Sequence, residues 1–220
     1  MKLPGMYFRI AGPIIRLFFP MRAEKLAGLD TPCVLLCRHR NMRGPVNTVL
    51  HYAYDASPWI YYPFCEKDTF FSHMYGYTMT ERLHWPKWLA YPFLKFLTAV
   101  TVPLFKSFGC IPVYRGDSHI RETFRISVDT LLSGRSIMIY PDIDYTANTD
   151  SVGSIYDGFL MLERLYFKKS GRHLPFVPVH LDTKKKRMWF GEPVVFGEGS
   201  FTDELRNAKE AILSQWHDQA

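Results

Sequence analysis

Short apolar runs alternate with helical patterns along most of the chain. Cys33 to Cys37 is a continuous apolar run, which is typical of a buried strand. Three further runs have the same character: Ile60 to Phe64, Ile111 to Tyr114 and Ile137 to Tyr140. Between the last two, apolar residues recur at helical spacing after Asp117 and Ser118 and stop before Gly134. The order strand, helix, strand predicts a βαβ unit.

The C-terminal part of the chain predicts further strands and a closing helix. Strands are predicted at Phe176 to Leu181, Met188 to Phe190 and Val194 to Phe196, and a helix at Phe201 to Trp216. We therefore predict an α/β fold with a mainly parallel mixed sheet flanked by helices. No internal repeat or low-complexity linker divides the sequence. Residues 31–220 are accordingly predicted to form a single domain, preceded by an amphipathic helical segment over residues 1–30.

The N-terminal segment is both basic and apolar. Its first 22 residues contain Lys2, Arg9, Arg16 and Arg22 and no acidic residue. Arg9 and Arg16 interrupt the apolar run, which is unlike a secretory signal peptide. Two interpretations remain open: an anchor that lies in a membrane interface, and an ordinary amphipathic helix packed on its own domain.

A second apolar stretch runs from Leu89 to Phe105. It contains Lys95, Pro92 and Pro103, and as a helix its 17 residues would reach about 25 Å, short of the ~30 Å hydrocarbon core of a bilayer. We therefore predict a protein that is peripheral to the cytoplasmic face of the membrane and does not span it. The two basic and aromatic stretches together favour attachment to a bilayer surface.

Composition and charge narrow the choice of partners. The chain has 27 Lys and Arg against 21 Asp and Glu, a formal charge of +6, which favours anionic partners such as phosphate esters, an acidic carrier protein or an anionic membrane. Nucleic acid is disfavoured, because no recognition helix or RNA-binding motif is present. The four cysteines lie in apolar stretches, which predicts small core residues in a reduced compartment and no zinc site: Cys33, Cys37, Cys65 and Cys110.

Chemically active side chains follow three of the predicted strands. The first strand is followed by Arg38, His39 and Arg40, the third by Arg115, and the fourth by Asp142 and Asp144. In open α/β sheets ligands bind beyond the carboxyl ends of the strands. A histidine, a fixed positive charge and carboxylates at one edge form a plausible site for moving a proton beside an anionic group.

Four sequence blocks follow one another along the chain: CRHRNMRGP (37 to 45), GCIPVYR (109 to 115), IYPDIDYT (139 to 146) and FVPVHLD (176 to 182). In this order they resemble the blocks of the glycerolipid acyltransferases typified by 1-acylglycerol-3-phosphate acyltransferase. The corresponding blocks of that family are, in turn, His-x-x-x-x-Asp, Gly-x-Ile-x-Val-x-Arg, Phe-Pro-Glu-Gly-Thr-Arg and a late Val-Pro-Val strand. The resemblance covers roughly residues 32 to 196.

The resemblance implies a role for each matching residue. His39 would be the general base that takes the proton of an acceptor hydroxyl as that oxygen attacks an acyl thioester, and imidazole suits this task at neutral pH. Arg115 would hold an acceptor phosphate. Asp142 stands where the family has glutamate. The donor would be acyl-CoA or acyl carrier protein and the acceptor a lysolipid, as in phospholipid biosynthesis, with no metal or bound cofactor. The Leu89 to Phe105 region is a candidate wall for the acyl chain.

Two blocks depart from the family pattern. Gly44 stands where the aspartate after His39 should be, and Ile143, Asp144 and Tyr145 replace Gly-Thr-Arg. Arg38, Arg40 and Tyr145 are predicted to bind the substrate together with Arg115. In one explanation of the departures, Asp142 or Asp144 orients His39 and the acceptor differs from lysophosphatidic acid. In the other, the protein is a catalytically silent lipid- or acyl-thioester-binding protein of the same fold.

Overall fold

A computed structural model describes residues 5–30, 32–40, 42–116, 119–143 and 153–217 of the chain. The α-helices are α1 (Met6–Phe18), α2 (Arg43–Tyr52), α3 (Lys67–His73), α4 (Lys87–Ser107), α5 (Ile120–Leu132), α6 (Met161–Ser170) and α7 (Phe201–His217). A π-helical segment, Met74–Arg82, connects α3 to the residues before α4. The strands are β1 (Arg22–Ala23), β2 (Val34–Cys37), β3 (Ala56–Tyr61), β4 (Ile111–Val113), β5 (Ser136–Ile139), β6 (Phe176–Asp182) and β7 (Arg187–Phe190).

The seven strands form one mixed sheet in the order β1-β7-β6-β2-β5-β3-β4. All neighbouring pairs are parallel except β6 and β7, which form an antiparallel hairpin. The predicted α/β fold with a mainly parallel mixed sheet is therefore confirmed. In this order β2 and β5 are direct neighbours, so the segments that follow them leave the same edge of the sheet side by side.

Helices cover both faces of the sheet because alternate strand residues point to opposite sides. Val34 and Leu36 of β2 pack in one cluster with residues of α5, α6 and α7, whereas Leu35 packs in another with Tyr52 of α2. Both faces of β2 and β5 are fully buried, which explains why these strands are continuous apolar runs in the sequence. Cys33 and Cys37 are buried in the second cluster.

Two predicted strands differ from the observed ones. The run predicted as Ile60 to Phe64 is the end of β3 followed by a 3₁₀ turn over Tyr62–Phe64, where Pro63 favours a turn. The strand predicted at Val194 to Phe196 is reduced to one bridge, in which Val194 pairs with Phe176 of β6. The intervening residues after β7 interrupt the ladder, because Pro193 has no N–H to donate to it.

The N-terminal helix α1 presents most of its apolar side chains to solvent. Phe8 is buried against the rings of Tyr54 and Phe108, while Leu17 and Phe18 are 79% and 77% exposed. After α1, the short strand β1 pairs with β7 at the edge of the sheet. The predicted amphipathic helix is thus present, and the domain boundary at residue 30 stays a prediction.

The helix α4 is longer than the apolar stretch predicted from the sequence. Its 21 residues extend about 31 Å, and it is long and apolar enough to cross a membrane, with 22% of its apolar window buried in the protein. The length argument against a membrane span therefore does not hold. In the fold α4 packs against α1 and α3 through one side, where Ala90, Leu94 and Val102 are buried.

Candidate active site

Three of the predicted site residues follow strands at the same edge of the sheet. His39 lies two residues after β2, Arg115 two residues after β4 and Asp142 three residues after β5. All three strands are parallel, so their carboxyl ends face the same way. Because β2 and β5 are adjacent, His39 and Asp142 meet directly.

His39 and Asp142 form a close pair through two hydrogen bonds. The Nδ1 and Oδ1 atoms are 2.7 Å apart, and the backbone N–H of His39 donates to Oδ2 of the same carboxylate at 2.8 Å. The side chain of Asp142 is 9% exposed and that of His39 is 21% exposed. A carboxylate only accepts hydrogen bonds, so Nδ1 carries the proton and the lone pair of the neutral ring lies on Nε2. This is the tautomer that a general base needs.

Asp142 is itself held in place by the backbone around it. It forms an isolated antiparallel bridge with Ile155, and the N–H of Ile143 donates to the carbonyl of Ser154. The carboxylate therefore approaches His39 from a segment that is fixed on both sides by β5 and by this bridge.

Gly44 explains why no carboxylate reaches His39 from position 44. The N–H of Gly44 donates to the carbonyl oxygen of His39 at 2.9 Å, which draws the start of α2 against the backbone of residues 38 and 39. A Cβ atom at position 44 would overlap the carbonyl oxygen of Arg38. An aspartate does not fit there without a shift of the backbone, whereas Asp142 reaches His39 from the neighbouring strand.

Tyr140 lies beside the ring of His39. The two ring centroids are 5.3 Å apart, and the Tyr140 hydroxyl lies 2.9 Å from Oγ1 of Thr48. Since the Thr48 hydroxyl donates to the carbonyl of Gly44 at 2.8 Å, the Tyr140 hydroxyl donates to Thr48. Burial raises the pKa of Tyr140 well above its usual value, so its hydroxyl stays protonated. Sequence reasoning missed this residue, although it lies between β5 and Asp142.

An apolar cavity of about 390 Å³ opens beside His39. Its wall includes Phe8 and Ile15 of α1, Val46 of α2, Ile60 of β3 and Leu104 of α4. His39, Tyr140 and Arg115 are among the few polar residues that line it. Of the Leu89 to Phe105 region, which was predicted to form a wall of the acyl-chain site, only the C-terminal end lines this cavity. Helix α1 forms another part of the wall.

Arg115 lies in the wall of the same cavity as His39, between two aromatic rings. Its guanidinium carbon is 5.7 Å from the ring centroid of Tyr61 and 5.8 Å from that of Tyr156. No carboxylate in the described part of the chain is within ion-pair distance of Arg115. An exposed guanidinium held by rings and not by a counter-ion is suited to an anionic ligand. The two tyrosines carry no motif that could have identified them from the sequence.

Arg38 and Arg40, which were predicted to bind substrate together with Arg115, lie in a different cavity. His39 lines the apolar cavity, whereas Arg38 and Arg40 line a second one beside β6 and β7. Arg40 has a φ of +43° and donates through Nη1 to the carbonyl oxygen of Leu181. Asp144 and Tyr145, also predicted as site residues, fall outside the described residues.

A second histidine–carboxylate pair lies elsewhere in the fold. His173 Nδ1 is 2.7 Å from Oε1 of Glu163, and Oε2 of Glu163 accepts the N–H of Leu174 at 2.7 Å. Its position before β6 is at the amino ends of the strands, away from Arg115 and the apolar cavity. The pair therefore joins α6 to the start of β6 and offers a control for the chemistry of His39. No group of three or more potential metal ligands occurs within the described ranges.

Comparison with solved structures gives a likeness of overall shape. The chain is similar to the crystal structure of the 1-acyl-sn-glycerophosphate (LPA) acyltransferase PlsC from Thermotoga maritima, with a TM-score of 0.49 and 10% sequence identity. The likeness covers 94% of this chain and 75% of that one. No protein-family model and no curated protein sequence matches the chain.

Proposed function

We propose that this protein is a membrane-associated acyltransferase that moves a fatty acyl group from an acyl thioester to a hydroxyl of a lysolipid or related acceptor. The observation that carries the proposal is the hydrogen bond that Asp142 accepts from His39, which lines an apolar cavity together with Arg115. The donor thioester belongs to coenzyme A or to an acyl carrier protein. Each part of this arrangement supports one requirement of the reaction.

The His39 ring supports proton transfer from the acceptor. Nε2 takes the hydroxyl proton as the hydroxyl oxygen attacks the thioester carbonyl carbon, so that a C–O bond forms. When the tetrahedral intermediate collapses, the C–S bond breaks and the proton passes from Nε2 to the departing thiolate. The products are an ester and a free thiol, and the imidazole returns to its neutral state. Asp142 stabilises the imidazolium that forms between the two steps.

The apolar cavity supports binding of the acyl chain. Its lining is mainly aliphatic and aromatic, and its volume of about 390 Å³ falls within the range of small-molecule sites. Each methylene group removed from water there contributes about 0.8 kcal/mol. A chain in this cavity would bring its thioester next to His39, which lies in the same wall.

Arg115 supports recognition of an anionic acceptor, and this role can be tested separately. In the R115Q variant we expect kcat/KM for a phosphate-bearing lysolipid to fall about 10- to 100-fold, because a hydrogen bond to a charged group contributes about 1.5–3 kcal/mol. Transfer to a phosphate-free acceptor such as a monoacylglycerol should change little. Steady-state kinetics with both acceptors measures the difference.

The control for this test is R121Q, which removes an exposed guanidinium from α5. It should leave both acceptors unaffected. An equal loss with both acceptors in R115Q would contradict the proposed contact between Arg115 and phosphate.

Membrane attachment is supported by the exposed apolar side chains of α1 and α4. Leu17, Phe18, Trp88 and Phe96 are each at least 68% exposed. Monomeric soluble proteins rarely leave so large an apolar surface open to water. The two helices are in contact, and both also line the cavity, so a lipid acceptor could pass between the bilayer and His39 without crossing open water.

A double substitution tests this attachment. Leu17→Glu with Phe18→Glu is expected to lower binding to anionic liposomes at least tenfold, because each side chain loses about 1.5–3 kcal/mol of burial in the lipid interface. Sedimentation with liposomes measures the bound fraction. Leu132→Glu with Leu165→Glu, on α5 and α6, introduces the same charge and should leave binding nearly unchanged. Similar binding by both double variants would contradict attachment through α1.

A further inference from the structure

The thiols of Cys65 and Cys110 lie next to each other at the end of the sheet formed by β3 and β4. Cys65 directly follows the 3₁₀ turn after β3, and Cys110 directly precedes β4. Their Sγ atoms are 3.9 Å apart, and both residues are free cysteines. Since an S–S bond is about 2.05 Å long, a movement of about 2 Å would join them.

The other two cysteines provide a contrast. Cys33 and Cys37 lie four residues apart on one extended segment, which separates them by about 13 Å. Both are buried in the core beneath α2. These two thiols therefore cannot meet while β2 is intact, whereas the thiols of Cys65 and Cys110 are already in contact.

Cys110 is the more reactive thiol of the close pair. It is partly exposed, whereas Cys65 is 5% exposed. The hydrogen bond between the two sulfurs lowers the pKa of Cys110, and the charge of Lys106 acts in the same direction, while burial and Glu66 oppose them. The same hydrogen bond and burial raise the pKa of Cys65. An accessible thiol that ionises readily beside a second, protonated cysteine is typical of redox-sensitive sites.

We propose that Cys65 and Cys110 form a reversible disulfide when the protein meets a peroxide, and that this bond narrows the apolar cavity beside His39. The first half depends on the thiols alone. The second half rests on the proposed function, because it takes the cavity to hold the acyl chain. A reversible bond is compatible with a reduced compartment, where disulfides are transient and report oxidants.

Hydrogen peroxide is the oxidant in this reaction. The Cys110 thiolate attacks one oxygen atom, so that an S–O bond forms, the O–O bond breaks, and the departing hydroxide takes up a proton to become water. Sγ of Cys65 then attacks Sγ of the sulfenic acid, so that an S–S bond forms and the S–O bond breaks. The hydroxyl group leaves as water with the Cys65 thiol proton. The two sulfurs give up two electrons, and the peroxide accepts them.

The bond acts on the apolar cavity because both cysteines adjoin residues of its wall. Phe64, directly before Cys65, and Phe108, two residues before Cys110, both line the cavity. Cys110 also packs in the same cluster as Phe108. Closing the 3.9 Å gap between the sulfurs draws the two segments together, and a close-packed interior transmits a shift of this size. The space that these rings border therefore becomes narrower.

Mass spectrometry of the full chain after treatment with one equivalent of hydrogen peroxide tests the bond directly. We expect the intact mass to fall by two hydrogen atoms, and trypsin to release residues 44–67 joined to residues 107–115. Dithiothreitol should reverse both changes. Absence of the joined peptides overturns the proposal, and so does a bond to Cys33 or Cys37 or between two chains.

Two variants examine how the bond forms. In C65A the sulfenic acid at Cys110 has no partner, so dimedone should label residues 107–115 and no joined peptides should appear. The matched control C33A removes another buried cysteine and should form the bond as the unmodified chain does. Equal dimedone labelling of the unmodified chain and C65A would contradict the attack by Cys65.

Binding of a fluorescent long-chain fatty acid, measured after the peroxide is removed, tests the effect on the cavity without requiring acyl transfer. We expect oxidation to weaken binding about fourfold for each methylene group that the narrowed cavity no longer holds, which is about 0.8 kcal/mol of burial. Binding by C110S should be the same before and after treatment. Equal affinities of the oxidised and reduced unmodified chain would overturn the narrowing, and so would an equal loss of binding in C110S.

The outcomes separate this inference from the proposed function. Weaker fatty-acid binding by the oxidised chain supports the inference whether or not acyl transfer is detected. A missing disulfide overturns it and leaves the acyltransferase proposal standing. A reduced chain that binds no fatty acid overturns the link to the cavity, even if the disulfide forms. A chain that forms the bond and binds fatty acid but transfers no acyl group contradicts the proposed function alone.

Discussion

Replacing His39 with glutamine is expected to lower the rate of acyl transfer about 10²- to 10⁴-fold, the range that a positioned general base contributes. Glutamine has no basic nitrogen to take the acceptor proton, although its amide can still hydrogen-bond to the carboxylate of Asp142. The substitution lies in a cavity wall and leaves the backbone hydrogen bond of residue 39 to Asp142 available, so the fold should be kept. The rate is measured with saturating donor and acceptor, and thermal unfolding checks the fold.

The second histidine–carboxylate pair gives this test a matched control. H173Q alters a histidine that also lies 2.7 Å from a carboxylate, but at the opposite ends of the strands. Its transfer rate should stay within about twofold of the unmodified protein, and its stability should fall by no more than about 1 kcal/mol, the size of one weakened hydrogen bond. A loss of activity in H173Q as large as in H39Q would mean that both substitutions act through stability and not through proton transfer.

Replacing Asp142 with asparagine is expected to reduce the rate of transfer about 10³- to 10⁴-fold. The amide can still accept the backbone N–H of His39, but its NH₂ group can face Nδ1 only as a donor. The ring would then carry its proton on Nε2, the wrong tautomer for a base. The same change in a Ser-His-Asp triad lowers kcat about 10⁴-fold. Binding of a non-reactive acyl thioester analogue should be unchanged, which separates loss of positioning from loss of the site.

The position of Gly44 provides a further variant of this experiment. Adding Gly44→Asp to D142N places a carboxylate five residues after His39, as in the sequence block that the segment from residue 37 to 45 resembles, but its Cβ atom would overlap the carbonyl oxygen of Arg38. We expect the added substitution to destabilise the fold by about 1–3 kcal/mol or more and to restore no activity. Recovery of the transfer rate in the double variant would show that His39 can be oriented from position 44 and that the role of Asp142 is replaceable.

The strands and the βαβ order could be predicted from the sequence because the central strands β2 and β5 are buried on both faces. Val34 to Cys37 and Ser136 to Ile139 contain no exposed position, so their apolar runs have no competing interpretation. The position of β2 next to β5 in the sheet could not be predicted in the same way. Strand order depends on how the helical connections pack against the sheet, and local sequence patterns do not determine it.

Part of the candidate site could also be predicted from the order of the strands. His39, Arg115 and Asp142 each follow a parallel strand, and such positions converge at one edge of the sheet. Which carboxylate would meet His39 depended on the close approach of Gly44 to the backbone of residue 38, which no sequence pattern expresses. The separation of Arg38 and Arg40 from His39 arises in the turn after β2, where Arg40 has a φ of +43° that no sequence pattern predicts.

The extent of α4 was underestimated because the apolar run alone defined it. The helix begins at Lys87 and ends at Ser107, and both ends lie beyond the apolar stretch. Pro92 and Pro103 lie inside it without ending it. Its exposed apolar side chains are explained by contact with lipid in the proposed function, and the liposome experiment with α1 variants examines that explanation.

The most direct test of the central claim is the stoichiometry of acyl transfer by the purified chain. A thioester with an isotope-labelled long acyl chain is mixed with a lysolipid, and mass spectrometry follows the labelled ester while a thiol reagent follows the released thiol. We expect one labelled ester for each thiol released by the unmodified protein, and neither product above background with H39Q. Thiol release without ester would contradict transfer to a hydroxyl acceptor. Saturable binding of the thioester with neither product would contradict catalysis by His39 and would favour a silent acyl-thioester-binding protein.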